Sequence, residues 1–364
     1  MSFLSGIRRF TTHLTISMLC AAACVVTLAA PGQPQFTVGW SIYVGWNPYQ
    51  YMVRSGILKK WEDKYGVSVR VQRFDYAPSL DAFVSGNIAA CTMTNMEALD
   101  MPAASGVDST SIIVGDYSNG NDAVLVRNNL KFNQLAGKRV LLVQKTVSEY
   151  LLERGLSING IKDGEKGLKL VNTADSDIVT AFTSDASNHA VVTWKPLVSQ
   201  IRTSPGVTTL FDSSKIPGEI LDLLVIRTDV LKSPEGDRFA KVMTGAWYDV
   251  MKQLRAGGAP SELAMKGIAS VSGDTLASFK EQLSTTHLYA EPAEAVSFTT
   301  SKDLQTKMEL VRQFCYRHNL MGKRTSSPDE VAIAYPDGAI QGKKERVRLR
   351  FEARYMRLAQ EGKL

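Results

Sequence analysis

The chain reads as an α/β protein, and three observations lead there. Short apolar or β-branched runs such as Phe36–Trp40, Val67–Val71 and Ile88–Met93 alternate with stretches of helical spacing. That alternation repeats after the turn-rich segment Asp116–Asp122, as though a second sheet begins there. The composition, 44% hydrophobic and 21% charged over 364 residues, supports a large core and about two domains.

Taken in order, Phe36–Trp40 is the first strand. Asn47-Pro48 then supplies an N-cap and a proline at the first helical position. Tyr49, Met52, Val53, Ile57 and Trp61 form the apolar stripe of that helix, and Gly66 ends it. Val67, Val69 and Val71 alternate as a half-buried strand. Ser79 is placed to cap a helix through Phe83, which stops at Gly86. Ile88–Met93 is the third strand, Asn95 opens a helix, and Ser111–Gly115 is the fourth strand. Asp122–Arg127 reads as a crossing into a second domain. There Val140–Val143, Leu168–Val171 and Ala190–Trp194 are strands, and Thr146-Val-Ser-Glu149 matches a capping box. Leu221–Arg227 reads as the return crossing. Long helices follow at Phe239–Leu254 and Asp303–His318. The segment Lys343–Leu364 mixes Lys and Arg with Val347, Phe351, Tyr355 and Leu358, as a basic helix docked on the protein would. A largely parallel sheet with right-handed crossovers is expected.

The first 30 residues have Arg8 and Arg9, an apolar run from Leu14 to Ala30 and small residues at Ala29 and Ala30, the layout of a secretory signal peptide. Cys24 is a poor lipoprotein site, because no branched residue stands three places earlier. Losing Arg8 and Arg9 lowers the net charge from +6 to +4, too little to argue for nucleic acid. Cys91 and Cys315 then remain, in an apolar strand and on an amphipathic helix, and read as two separate buried thiols. No metal-ligand spacing, phosphate-binding loop, nucleophile elbow or dinucleotide fingerprint is found, so neither a cofactor nor a catalytic set is expected.

In open α/β sheets ligands bind beyond the carboxyl ends of the strands. The residues there are Trp40, Ser41, Tyr43 and Trp46, then Asp75, Tyr76 and Ser79, then Thr94, Asn95 and Glu97, then Asp116. In the second domain they are Thr146, Ser148, Glu149 and Trp194, with Asp222 just inside the return crossing. Trp40 and Trp46 read equally well as core. Glu149 reads better as a helix cap, and Glu97 equally as a complement to a helix dipole. Taken together, acids outnumber bases around the expected cleft, and Trp and Tyr faces hold cations at about 0.5–2 kcal/mol each. Ring faces from Trp40, Tyr43, Trp46, Tyr76 and Trp194 with acceptors from Asp75, Glu97, Asp116 and Asp222 point to a small nitrogen-rich ligand. Ser41, Ser79, Asn95, Thr146 and Ser148 would add hydrogen bonds.

The run Val38-Gly-Trp-Ser-Ile-Tyr-Val-Gly-Trp-Asn-Pro48 resembles the start of periplasmic solute-binding proteins of the nitrate, sulfonate and taurine transporter type. Further runs are Phe74-Asp-Tyr-Ala-Pro-Ser79, Cys91-Thr-Met-Thr-Asn-Met-Glu-Ala-Leu99, Val192-Thr-Trp-Lys-Pro196, Ile216-Pro-Gly-Glu-Ile-Leu-Asp222 and Tyr355-Met-Arg-Leu-Ala-Gln-Glu-Gly-Lys-Leu364. Together they resemble the branch associated with urea carboxylase, the urea transporter binding proteins. The resemblance implies a two-lobed type II periplasmic binding protein fold, with two crossing strands as hinge and a helical C-terminal region. Lobe 1 would comprise 31–119 and 226–334, lobe 2 would be 120–225, and 335–364 would be a basic helix or tail. It implies a periplasmic monomer that captures urea, guanidine or a related compound and hands it to an ABC permease with its ATPase. The alternatives are an anion site for sulfonate, taurine or nitrate on the same fold, or an enzyme like the thiamine-pyrimidine synthases, whose cysteine-rich motif is missing here. Lys195 departs from the Asn expected in the Thr-Trp-Asn-Pro run, and an ammonium facing the cleft would weaken a cation site. Signal cleavage near Ala30 is expected, and mass spectrometry of the exported protein should find its first residue close to Pro31.

Overall fold

The computed structural model describes residues 33–161, 167–322 and 325–364; the expected signal peptide lies outside them. The strands are β1 (Gln35–Trp40), β2 (Ser68–Arg73), β3 (Ala90–Thr94), β4 (Ser109–Ser118), β5 (Ala123–Arg127), β6 (Arg139–Leu142), β7 (Lys169–Asn172), β8 (Asn188–Thr193), β9 (Val207–Asp212), β10 (Leu221–Arg227), β11 (Thr286–Leu288), β12 (Ala332–Ala334), β13 (Ile340–Gln341) and β14 (Val347–Phe351). They form two sheets. The larger runs β13-β12-β14-β4-β10-β3-β1-β2, with β11 added against β4, and the smaller runs β7-β6-β8-β5-β9.

The chain passes from the large sheet to the small one between β4 and β5, and returns between β9 and β10. The strands expected to cross, Asp122–Arg127 and Leu221–Arg227, do not cross: β5 stays in the small sheet and β10 in the large one, and both run against their neighbours. β10 is antiparallel to both β3 and β4, and β5 is antiparallel to both β8 and β9. The sheets are therefore mixed, while β1, β2 and β3 keep the expected parallel pairing. Helices pack over the faces. In the large sheet, the helix Pro234–Arg255 buries Phe239, Val242, Met243, Trp247, Val250 and Met251, all expected from their spacing. Cys91 and Cys315 are separate buried thiols. No helix among the described residues is long and apolar enough to cross a membrane.

Several local expectations are corrected. The first helix is broken at Ser55–Gly56 into Asn47–Arg54 and Ile57–Tyr65, because Gly56 adopts a left-handed conformation, and its N-cap is Trp46 rather than Asn47. The next helix starts at Tyr76 with Asp75 as N-cap, so Ser79 lies inside it, bonded back to the Tyr76 carbonyl at 2.6 Å. β4 continues through Asp116 and Tyr117 to Ser118, since β10 and β11 pair with that end despite its turn-forming residues. The C-terminal segment is not one helix. Val347, Leu349 and Phe351 alternate inward on β14, which pairs parallel with β4, and the α-helix is confined to Arg354–Gln360. The period of two in that stretch outweighs its basic composition.

Helix Pro234–Arg255 meets helix Ile57–Tyr65 at Gly245, where an added Cβ would lie 2.6 Å from three atoms of the Trp61 indole. Gly245→Ala should therefore cost about 1–3 kcal/mol by overpacking. Chemical denaturation should show a lower midpoint with an unchanged slope.

Candidate functional site: an aromatic cavity with buried carboxylates

The carboxyl ends of β1, β2 and β3 and the start of β10 face the carboxyl end of β8 and the helix Val147–Ile158 of the small sheet. Between them lies a small cavity of about 20 Å3. That suffices for one water and leaves room only for a small solute. Its walls are Tyr43, Trp46, Tyr76 and Trp194, with Thr94, Val147 and Ile220 completing the apolar surface and Asp122 and Asp222 exposed to it. No Arg, Lys or His is among the described residues that line it.

The rings form a continuous chain. Tyr43 meets Trp46 edge-on at 5.2 Å between centroids, Trp46 meets Tyr76 at 5.3 Å, and Tyr76 meets Trp194 edge-on at 5.8 Å. Trp194 comes from the small-sheet side, and its indole N–H donates to the Ile42 carbonyl at 3.3 Å. The Trp46 indole nitrogen is buried without a partner.

Asp116 and Asp222 are paired in register on β4 and β10. Tyr43 donates its hydroxyl to Asp116 Oδ1 at 3.1 Å. The other Asp116 oxygen has no donor, and it approaches the backbone so closely that a Cβ on Gly45 would meet it at 2.1 Å. Burial pushes the Asp116 carboxyl up to about 7 against the hydrogen bonds that favour its charge, and neighbouring Asp122 adds to the rise. Burial likewise lifts Asp122 to about 7, with Glu97 contributing. Asp222 is driven well above the carboxylate range by burial and then by the Asp116 charge. Because the charge on Asp116 raises the carboxyl directly opposite it, Asp116 and Asp222 titrate as a pair.

Glu97 closes the cavity from the large-sheet side. Its Oε1 accepts the Val147 backbone N–H at 2.8 Å, at the first turn of the opposite helix, and its Oε2 accepts the Thr94 hydroxyl. Burial raises its carboxyl, and these bonds with that from the Tyr76 hydroxyl oppose the rise. Glu97 does complement a helix dipole, but that of a helix packed on the other sheet.

The remaining candidates are held elsewhere. Asn95 donates to the Glu219 carbonyl and accepts from Leu221 N–H, both at 3.0 Å, which fixes the start of β10 and hence Asp222. Thr146 caps its helix by accepting from Ser148 N–H at 3.3 Å and donates to the Val143 carbonyl at 2.7 Å. Trp40, Ser41 and Ser148 are buried without side-chain partners but do not line the cavity. Asp75 is exposed and lies in a separate surface cleft with Asp175 and Asp274. It is the N-cap position of the shifted helix that carries it outward. Lys195 is buried, yet its ammonium pairs with Glu281 and donates to Thr285 at 3.0 Å, so it faces away from the cavity. Thr94 and Asp122, two of the cavity residues, sit at loop ends visible in the sequence. What the sequence lacks is the antiparallel pairing that turns Asp122 inward.

No protein-family model matches the sequence. No curated protein matches it. Solved structures share its fold. The alkanesulfonate-binding protein SsuA of Xanthomonas axonopodis pv. citri, bound to MOPS, is 16% identical with a TM-score of 0.66, over 80% of this chain and 96% of that one. The periplasmic aliphatic sulphonate-binding protein SsuA of Escherichia coli is 17% identical with a TM-score of 0.63, over 80% and 95%. The Candida albicans CA3427 gene product, described as having the generic periplasmic binding protein fold, is 13% identical with a TM-score of 0.55, over 80% and 97%. The fold is thus that of periplasmic binding proteins, as expected.

Carboxyls held near 7 when folded but ionising near 3.8 when unfolded bind more protons in the folded state between those values. Their contribution to stability is fully present below the unfolded value and is lost as pH rises through about 7. The ligand-free protein should therefore melt at a lower temperature at pH 8 than at pH 5.5. The difference should shrink in Asp122→Asn, which thermal denaturation across that range will show.

Proposed function

We propose that the protein is the solute-binding subunit of an ABC importer, a periplasmic monomer that captures urea, guanidinium or a related small nitrogen-rich solute and presents it to a membrane permease. The observation that carries this reading is the pairing of four ring walls with Asp122 and Asp222, backed by Asp116, in a cavity lined by no basic side chain. A guanidinium ion would give its N–H groups to the carboxylates, in charge-assisted bonds, and its flat face to the rings. Urea would make the same amide contacts and offer its carbonyl oxygen to the unpartnered Trp46 N–H.

The two crossings, 119–122 and 213–220, lie beside the cavity and serve as the hinge. Lobe 2 corresponds to the segment between them, with the rest of the chain in lobe 1. Closure about two strands is the usual motion of such proteins, and a ligand touching both sides favours the closed form. The resemblance in fold to sulfonate-binding proteins supports the second reading, an anion site. The buried acids weigh against it, because an uncompensated anion beside them is repelled.

Calorimetry of the mature protein against guanidinium, urea, taurine and nitrate decides between them. Guanidinium or urea should bind, and Trp46→Ala or Asp222→Asn should weaken that binding at least tenfold. Guanidinium affinity should increase from pH 6 to pH 8, as carboxyls near 7 lose protons to make way for a cation. Tighter binding of taurine or nitrate than of either nitrogen solute would overturn the reading.

A further inference from the structure

We propose that Glu97 sets the charge class of the solute, its carboxylate filling from within the protein a seat that would otherwise take an anion. The proposal rests on the reading of the cavity as a solute site.

Three donors converge on Glu97. They are the Val147 backbone N–H at 2.8 Å, the Thr94 hydroxyl and the Tyr76 hydroxyl. All three belong to residues that line the cavity. Val147 opens a helix of 12 residues, whose N-terminus favours negative charge. The next residue of that turn, Ser148, is fully buried, and its hydroxyl has no partner. A backbone N–H at a helix start, two or three hydroxyls and an apolar ring wall are what a carboxylate or sulfonate requires. Here the protein's own side chain occupies that place. Glu97 comes from the short helix Asn95–Ala98 that follows β3, on the same side as Thr94 and Tyr76, so it reaches the Val147 N–H from the opposite side of the cavity. A solute arriving in the cavity meets those donors already engaged, and the groups left to it are acids and rings.

Removal of the carboxylate should convert the donors into an anion site continuous with the cavity. Glu97→Ala and Glu97→Ser, with Glu97→Gln as the isosteric control, would be titrated with formate and methanesulfonate by calorimetry and by thermal shift. The expected result is no anion binding by the native protein or by Glu97→Gln. Formate or methanesulfonate should bind Glu97→Ala or Glu97→Ser at least tenfold more tightly than the native protein and raise the melting temperature of those variants alone. If both truncated variants are folded and neither gains anion binding, the proposal is wrong, and Glu97 is only a clasp between the lobes. Equal methanesulfonate binding by native protein and Glu97→Ala would also overturn it. If Glu97→Ala does not fold, the Glu97→Ser titration decides. Guanidinium and urea titrations of the native protein separate the two ideas. Nitrogen-solute binding without anion gain sinks the role of Glu97 alone, and anion gain without nitrogen-solute binding sinks the assigned solute alone.

Discussion

The structure around the cavity depends on carboxyl groups held out of water without a basic partner, which burial keeps protonated more readily than free acids. Asp222 enters the interior because β10 is clamped between β3 and β4, opposite Thr94 on one side and Asp116 on the other. Asn95 fixes the approach to that strand through the Glu219 carbonyl and the Leu221 N–H. With Asp122 arriving from the crossing, three acids share a buried region in which burial raises the proton affinity of each, Asp122 raises that of Asp116, and Asp116 and Asp122 raise that of Asp222. A folded protein accepts such an arrangement where a ligand compensates it, since apolar residues would pack the same volume at lower cost.

The rest of the region keeps those carboxyls dry and keeps the protein's own cations away from them. The ring chain from Tyr43 to Trp194 seals the cavity with surfaces that attract a cation but do not neutralise the acids permanently. Lys195, adjacent to Trp194, would do so if it turned inward. Instead it is engaged by Glu281 and Thr285, so its charge is spent on holding the small-sheet side against the helix Leu276–Leu283. Arg154 is engaged in the same way by Glu219, at 2.8 Å.

The sequence carried the succession of strands and helices in the first half and the ring residues well, because parallel βα units announce themselves through local spacing. Tyr43, Trp46, Tyr76, Trp194 and Asp222 follow from asking what lies at strand ends. The misplaced residues share one cause, which is that the deciding contact is non-local. Asp75 faces outward because the helix begins three residues before Ser79. Ser79, Asn95 and Thr146 have polar side chains at the right ends, but their partners are backbone groups that only the folded chain brings near. β11 to β14 are three to five residues or fewer and form only against β4 or each other, so their periodicity is too brief to read. Asp122 looks like a turn residue until β5 pairs antiparallel with β8 and β9.

A fold shared with sulfonate-binding proteins and a cavity lined by acids are compatible, because a fold fixes where a solute sits and not which charge it carries. A helix start facing the cleft favours anions by default. Any chain with this architecture that selects a cation or a neutral amide has to cancel that default locally, and the cheapest means is a carboxylate from the facing lobe. Glu97 stands where that solution requires it, with Val147 N–H as its partner. The same bond also joins the two sides of the cavity, so under the proposed role of Glu97 selection and closure would draw on one contact, and a change that relaxed the first would loosen the second.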